Sequence, residues 1–147
     1  MQINNLLKTN NSFKITFVFI WCFYTSLYGA TWYSDAIGGN PNDLNKWWSK
    51  SNGTGNHPSG FLDANDIFYL KSGHAYVTIN TWNIGGTLQV YGELTIQSSN
   101  FIKGLVIYNK GIVFGNAQTT ILEASVGGLF SINDGGKYVF NHSTPNN

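Results

Sequence analysis

The sequence predicts an all-β protein: a parallel β-helix or solenoid carrying an aromatic N-terminal cap. Three observations carry that expectation. From Ile67 onward short segments that alternate apolar and polar residues follow one another: IFYL, YVTI, TLQV, ELTI, LVIY, IVF, TTILEA, LFSI and KYVF. Gly and Asn punctuate them, as in GGTLQVYGELTI and KGLVIYNKGIVFG. Polarity comes from Asn, Ser, Thr and Gly rather than from helix-forming charged residues, which make up only 10% of the chain. No segment carries a helical period of useful length, and NDLNKWWSK (42–50) has the makings of a short turn at most.

Residues 1–30 divide in the manner of a secretory signal peptide. The stretch MQINNLLKTNNSFK carries Lys8 and Lys14 and no acid, and an apolar run from Ile15 to Gly29 ends in the small pair Gly29–Ala30. A transmembrane helix needs about 20 apolar residues, more than this run offers, so an uncleaved anchor is the lesser reading. A cut after Ala30 puts Tyr28 where a small residue is usual, and a cut after Gly29 is the alternative. Cys22, the single cysteine, follows Trp21, which does not suit lipid attachment. The expected destination is secreted or cell-surface, with no membrane span after signal removal.

Beyond the signal, residues 31–147 contain no cysteine, so burial and backbone hydrogen bonds must hold the fold without disulfides, as is common in exported bacterial proteins. Six Lys face seven acids with no Arg, a net charge of −1. This balance offers no electrostatic footing for nucleic acid or an anionic membrane.

Residues 31–66 are rich in aromatic and turn residues, among them Trp32, Tyr33, Trp47, Trp48, Phe61, Pro41 and Pro58. Burying a large ring is worth about 1.5–3 kcal/mol, so this segment is read as a loop-rich cap folding its rings over the end of another structure. Residues 67–147 form the repeat region. Alternation places Leu88, Val90, Leu94 and Ile96 inside, with Thr87, Gln89, Glu93 and Thr95 on the opposite face. The same reading puts Leu105, Ile107, Ile112, Phe114, Ile132, Tyr138 and Phe140 inside.

An antiparallel β-sandwich of hairpins competes with the β-helix. Its turns would fall at Asp134–Gly135 and at Asn109–Lys110–Gly111. The β-helix is favoured by the very short link between TLQV and ELTI. Three strands per coil would group Tyr76–Ile96, Leu105–Glu123 and Leu129 onward, a repeat of roughly 20–28 residues. A solenoid requires a closing element at each end, and FNHSTPNN supplies none, so the region is expected to be truncated at its C-terminus. The open β-edge this leaves points to self-association.

The core Asn52–Gly53–Thr54–Gly55, with Pro58 and Phe61, follows Tyr33, Leu44 and Trp47. It precedes the apolar segment Ile67–Leu70, then Trp82 and Gly86-Thr87-Leu88-Gln89-Val90. In this order the residues resemble a recurrent N-terminal region of large secreted proteins of Bacteroidetes. The match spans about residues 31–96. A weaker similarity links the Trp, Pro and G-x-L pattern to the eight-glycine domain of extracellular carbohydrate-associated proteins. The first resemblance implies the capped start of a β-helical surface protein, often exported by the type IX route, which adds a C-terminal sorting domain not seen in this sequence.

Chemistry-bearing patterns are sparse. His57, His74 and His142 are the candidate bases for nucleophilic catalysis, and none sits in a nucleophile-elbow or triad context. Asp63 and Asp66 are the closest acids of the region, and Asp-x-x-Asp before a strand reads as turn capping rather than a glycosidase dyad. No calcium loop, zinc pair or phosphate-cradling loop is present, and no cofactor is expected. The remaining signal is aromatic. Trp32, Tyr33, Trp47, Trp48 and Trp82 could stack on sugars, but Trp47 and Trp82 read as core, which leaves Trp48 as the exposed candidate. The expected function is a non-enzymatic extracellular structural or adhesin-like segment, the N-terminal part of a larger β-helical protein. The alternative is a carbohydrate-binding or carbohydrate-processing module whose active part lies further along, with a polysaccharide or cell-surface glycan as partner.

Overall fold

The computed structural model describes residues 28–97, 100–115 and 128–140. Ten strands make up nearly all of its regular structure. They are β1 (Thr31–Ser34), β2 (Trp47–Trp48), β3 (Ile67–Leu70), β4 (Ala75–Thr78), β5 (Trp82–Val90), β6 (Glu93–Ile96), β7 (Asn100–Ile107), β8 (Ile112–Gly115), β9 (Leu129–Ile132) and β10 (Lys137–Phe140). The segment Leu44–Lys46 is a single 3-10 turn inside the stretch expected to hold one, and the Asp43 side chain caps it by accepting from the Asn45 amide. The chain is all-β, as its composition predicts.

Two sheets result, one ordered β2-β1-β3-β5-β7-β9 and the other β10-β8-β6-β4. Among the described strands only β1 and β2 pair antiparallel, and every other strand pairing is parallel. Parallel neighbours need a crossover between them, and from β3 onward the crossover runs through a strand of the other sheet, whereas β1 and β3 are joined through β2 of their own sheet. Strand β4 thus carries the chain from β3 to β5, and β6 carries it from β5 to β7. Side chains align in register across the first sheet as Phe68, Leu88, Leu105 and Phe130, and across the second as Tyr76, Leu94, Val113 and Tyr138.

The hairpin turns expected of a sandwich do not form. Asp134–Gly135 links β9 to β10, and Asn109–Lys110–Gly111 links β7 to β8; in both cases the strands joined belong to different sheets. The grouping of three separate strands per repeat also changes. Strands β4 and β6, placed in one coil, are neighbours in one sheet, and β5 and β7 begin several residues before the expected segments TLQV and LVIY, with a register irregularity between Ile84 and Thr87. The segment TTILEA (119–124) lies outside the described residues.

The core fills the space between the sheets. Phe68, Leu70, Leu88, Val90, Leu105 and Ile107 meet Tyr76, Leu94, Ile96 and Val113, all essentially without exposure. Leu88, Val90, Leu94 and Ile96 therefore point inward as alternation predicts. Ile112 and Phe114 do not: both are half-buried on the outer side, and Val113 between them is buried. Register decides this, because Glu93 pairs with Ile112 and Leu94 with Val113. Ile132 and Phe140 are 46% and 71% exposed, although they align with the buried Ile107 and, through Gly115, with Ile96. They sit on the last described strand of each sheet, where no further described strand covers them. Tyr138 beside them is half-buried.

Residues 31–66 are not all loop. TWYS and WW add β1 and β2 to the edge of the larger sheet, which short, turn-flanked aromatic segments did not signal. Trp47 is wholly buried, and its Nε1 donates to the Pro41 carbonyl at 2.8 Å. Its ring lies edge-on to Phe68 and stacks with Tyr76 and Trp82 at 5.9 and 6.0 Å. Phe61 packs against Phe68 and Trp82 from the same end.

At the corners joining the first sheet to the second, His74, Gly92, Gly111 and Gly136 align one behind the next. Each next strand opens by donating to the carbonyl behind it: Glu93 to His74, Ile112 to Gly92, Lys137 to Gly111. A side chain at Gly92 would collide with the His74 and Lys71 carbonyls, so close backbone approach explains the recurring glycine.

Candidate functional site

The most organised surface feature is a row of tyrosines on the outer side of the larger sheet. Tyr33 is on β1 and Tyr69 on β3, directly paired in register. Tyr91 and Tyr108 are the residues immediately after β5 and β7, where the chain turns toward the second sheet. Tyr91 donates its amide to the Leu70 carbonyl and Tyr108 to that of Val90, which sets the two one strand spacing apart. Their rings therefore stack: Tyr69 on Tyr91 at 4.5 Å and 16°, Tyr91 on Tyr108 at 4.3 Å and 5°. Tyr33 adds a tilted contact to Tyr69 at 5.6 Å. All four are half-buried. Tyr91, in the middle, has its hydroxyl pushed up to about 12, by burial first and by the neighbouring Tyr69 hydroxyl second.

This geometry limits what the row can bind. Sugar stacking needs a free ring face, and both faces of Tyr91 are taken by its neighbours. The ladder presents ring edges and hydroxyls instead. Its first effect is to tie β3, β5 and β7 together from outside the core, since aromatic pairs contribute about 0.5–1.5 kcal/mol each beyond their buried area.

The residues singled out from sequence fall into separate places. Trp47 and Trp82 are buried in the core and closed to ligands. Trp32 is half-buried and donates Nε1 to Asp66 Oδ2 at 2.7 Å. Trp48 pairs with Tyr33 across β2 and β1 and is half-buried rather than freely exposed. Its ring meets that of His57 with centroids 4.0 Å apart, and His57 Nδ1 contacts the Trp47 carbonyl at 2.8 Å. Asp63 accepts from the Asn65 amide at 2.9 Å, a turn-capping contact of the kind its spacing predicts. His142 lies outside the described residues. Sequence reasoning missed Tyr69, Tyr91 and Tyr108, although Val90–Tyr91–Gly92 and Ile107–Tyr108 share the signal of an aromatic at the end of an apolar strand.

One nucleophile–base contact does form. Ser34 Oγ lies 2.8 Å from His74 Nδ1 and also accepts from the Lys71 amide at 3.0 Å. Burial holds the His74 imidazole below its ordinary value, with Lys71 acting in the same direction, as a neutral base would require. Ser34, however, is fully buried. A hydroxyl with no exposure cannot reach a substrate, so the contact serves to fasten β1 to the corner before β4. Among the described residues no three His, Cys, Asp or Glu side chains converge as metal ligands would, and no helix is long and apolar enough to cross a membrane.

No family model, no curated protein and no solved structure matches this chain. Its function has to be read from its own geometry.

Proposed function

We propose that this chain is a non-enzymatic extracellular structural or adhesin-like segment, the capped N-terminal part of a larger β-helical protein of the secreted Bacteroidetes kind. One observation carries the reading: from β3 to β10 successive strands alternate between two parallel sheets, stacking like on like in register. This alternation supports reading the chain as a solenoid, a fold that extends by adding rows and displays a long side wall. Residues 31–66 act as the cap, with Trp47 and Phe61 closing the first row. The signal at 1–30 directs the chain outside the cell. The tyrosine ladder ties the rows along the wall, and the apolar last row, with Phe130, Ile132 and Phe140, is where further rows stack.

The test is an immunoblot of fractionated native cells, with an antibody raised against residues 31–140, before and after protease treatment of intact cells. A band larger than this chain, in the medium or removed from the surface by protease, is the expected result. A protease-resistant cytoplasmic band would overturn the reading.

A carbohydrate-binding module is the second reading, favoured by the placement of Trp48 beside Tyr33 on the outer side of the larger sheet. A polysaccharide pull-down in which binding occurs and Trp48→Ala abolishes it would raise this reading above the first.

A further inference from the structure

Asp66 stands out among the acids. It is 8% exposed, and both carboxylate oxygens are used: Oδ1 accepts from the Ala30 backbone nitrogen at 2.8 Å and Oδ2 from Trp32 Nε1 at 2.7 Å. Both donors are neutral. The one ion pair among the described residues joins Lys46 to Asp35, so Asp66 is a buried carboxylate without a cation. Buried charges are ordinarily paired, because desolvation of a lone one is costly. The atom nearest to filling that role is the Ala30 nitrogen, which lies at the end of the segment read as a signal peptide.

We infer that the chain is processed between Gly29 and Ala30, and that the new α-ammonium of Ala30 is the counter-ion of Asp66. The step is a hydrolysis by a signal peptidase. Water adds across the Gly29–Ala30 amide, the released leader keeps the carboxylate of Gly29, and the amine of Ala30 takes up a proton below about pH 8. Nothing need move for the pair to form, since the nitrogen is already at hydrogen-bond distance from Oδ1. A cut one residue later removes a used part of the fold. The Ala30 carbonyl accepts from the Ile67 amide at 2.8 Å, the rung that starts the β1–β3 ladder, and that rung would be lost together with the Oδ1 contact. Ala30 thus belongs to the folded body, and the choice left open between two cleavage positions is decided in favour of Gly29.

The inference rests on the export reading, and N-terminal sequencing of the product exported from the full-length gene separates the two. The expected sequence begins Ala-Thr-Trp-Tyr-Ser. A start at any other position, Met1 included, overturns the inference and leaves export standing; a chain found uncut and only inside the cell overturns both. A second measurement addresses the pairing itself. In the exported product the α-amine should hold its proton at least tenfold more tightly than an unpaired terminus, as read by NMR titration. Asp66→Asn should abolish that difference. An ordinary α-amine in the wild-type product would overturn the pairing whether or not the variant folds.

Discussion

Tyr91 lies face to face with Tyr108, their ring centroids 4.3 Å apart and their planes within 5° of parallel. The two residues are far apart in the chain, yet each follows the last residue of a strand in the larger sheet. The parallel pairing of β5 with β7, Val90 opposite Ile107, is what brings them into contact.

Removing the central ring should therefore loosen three strands at once. Tyr91→Ala loses two stacks and should lower stability by about 1–3 kcal/mol in denaturant unfolding, while Tyr91→Phe should cost well under half of that. The hydroxyl provides a separate readout. Its proton is held up to about 12 in the folded chain against about 10 when unfolded, so its contribution is intact below pH 10 and is lost as pH rises toward 12. Burial also raises Tyr76 and Tyr138, so absorbance titration should show several late-ionising tyrosines, with one fewer in Tyr91→Phe.

Trp47 and Trp48 are adjacent and should behave oppositely. Trp47 fills the end of the core against Phe68, Tyr76 and Trp82, so Trp47→Ala should cost about 3–5 kcal/mol, enough to unfold a marginal domain. Trp48→Ala removes a half-buried ring held on one side by His57 and should cost about 1 kcal/mol. Thermal melts of the two variants are the check.

The four-residue corner links share a left-handed third position. Gly73 has φ +80° and Gly135 +76°, but Lys110 has φ +69°, the one non-glycine with positive φ among the described residues. A side chain there costs about 1–2 kcal/mol, partly offset by the greater freedom glycine has when unfolded. Lys110→Gly should accordingly raise stability by about 0.5–1 kcal/mol. Gly92→Ala should lower it by more than that, since its new methyl meets the His74 carbonyl.

Self-association should run through the last row. Leu129, Phe130, Ile132 and Phe140 are 46–71% exposed, and the outer edges of β9 and β10 pair with no described strand. Exposed apolar edges recruit further strands. Sedimentation of residues 31–147 should show oligomers, and Phe130→Lys with Phe140→Lys should shift them toward monomer. An unchanged distribution would place the contact elsewhere.

The sequence alone determined the class and the strands. Eight of the predicted segments overlap observed strands, and Leu88, Val90, Leu94 and Ile96 point inward as alternation requires, because side-chain direction along a strand is a local property with a period of two. Trp47 and Trp82 as core followed from ring size alone. Only the tertiary structure decided what depends on which strand lies beside which. It pointed Val113 inward instead of Ile112 and Phe114, because pairing with Leu94 outweighs local hydrophobicity. It joined parallel strands where glycine turns could equally have made hairpins. It assembled Tyr33, Tyr69, Tyr91 and Tyr108 from irregular intervals into one ladder, and it set the Ala30 nitrogen against Asp66. Such contacts follow from register between distant segments, which leaves no period in the chain to read.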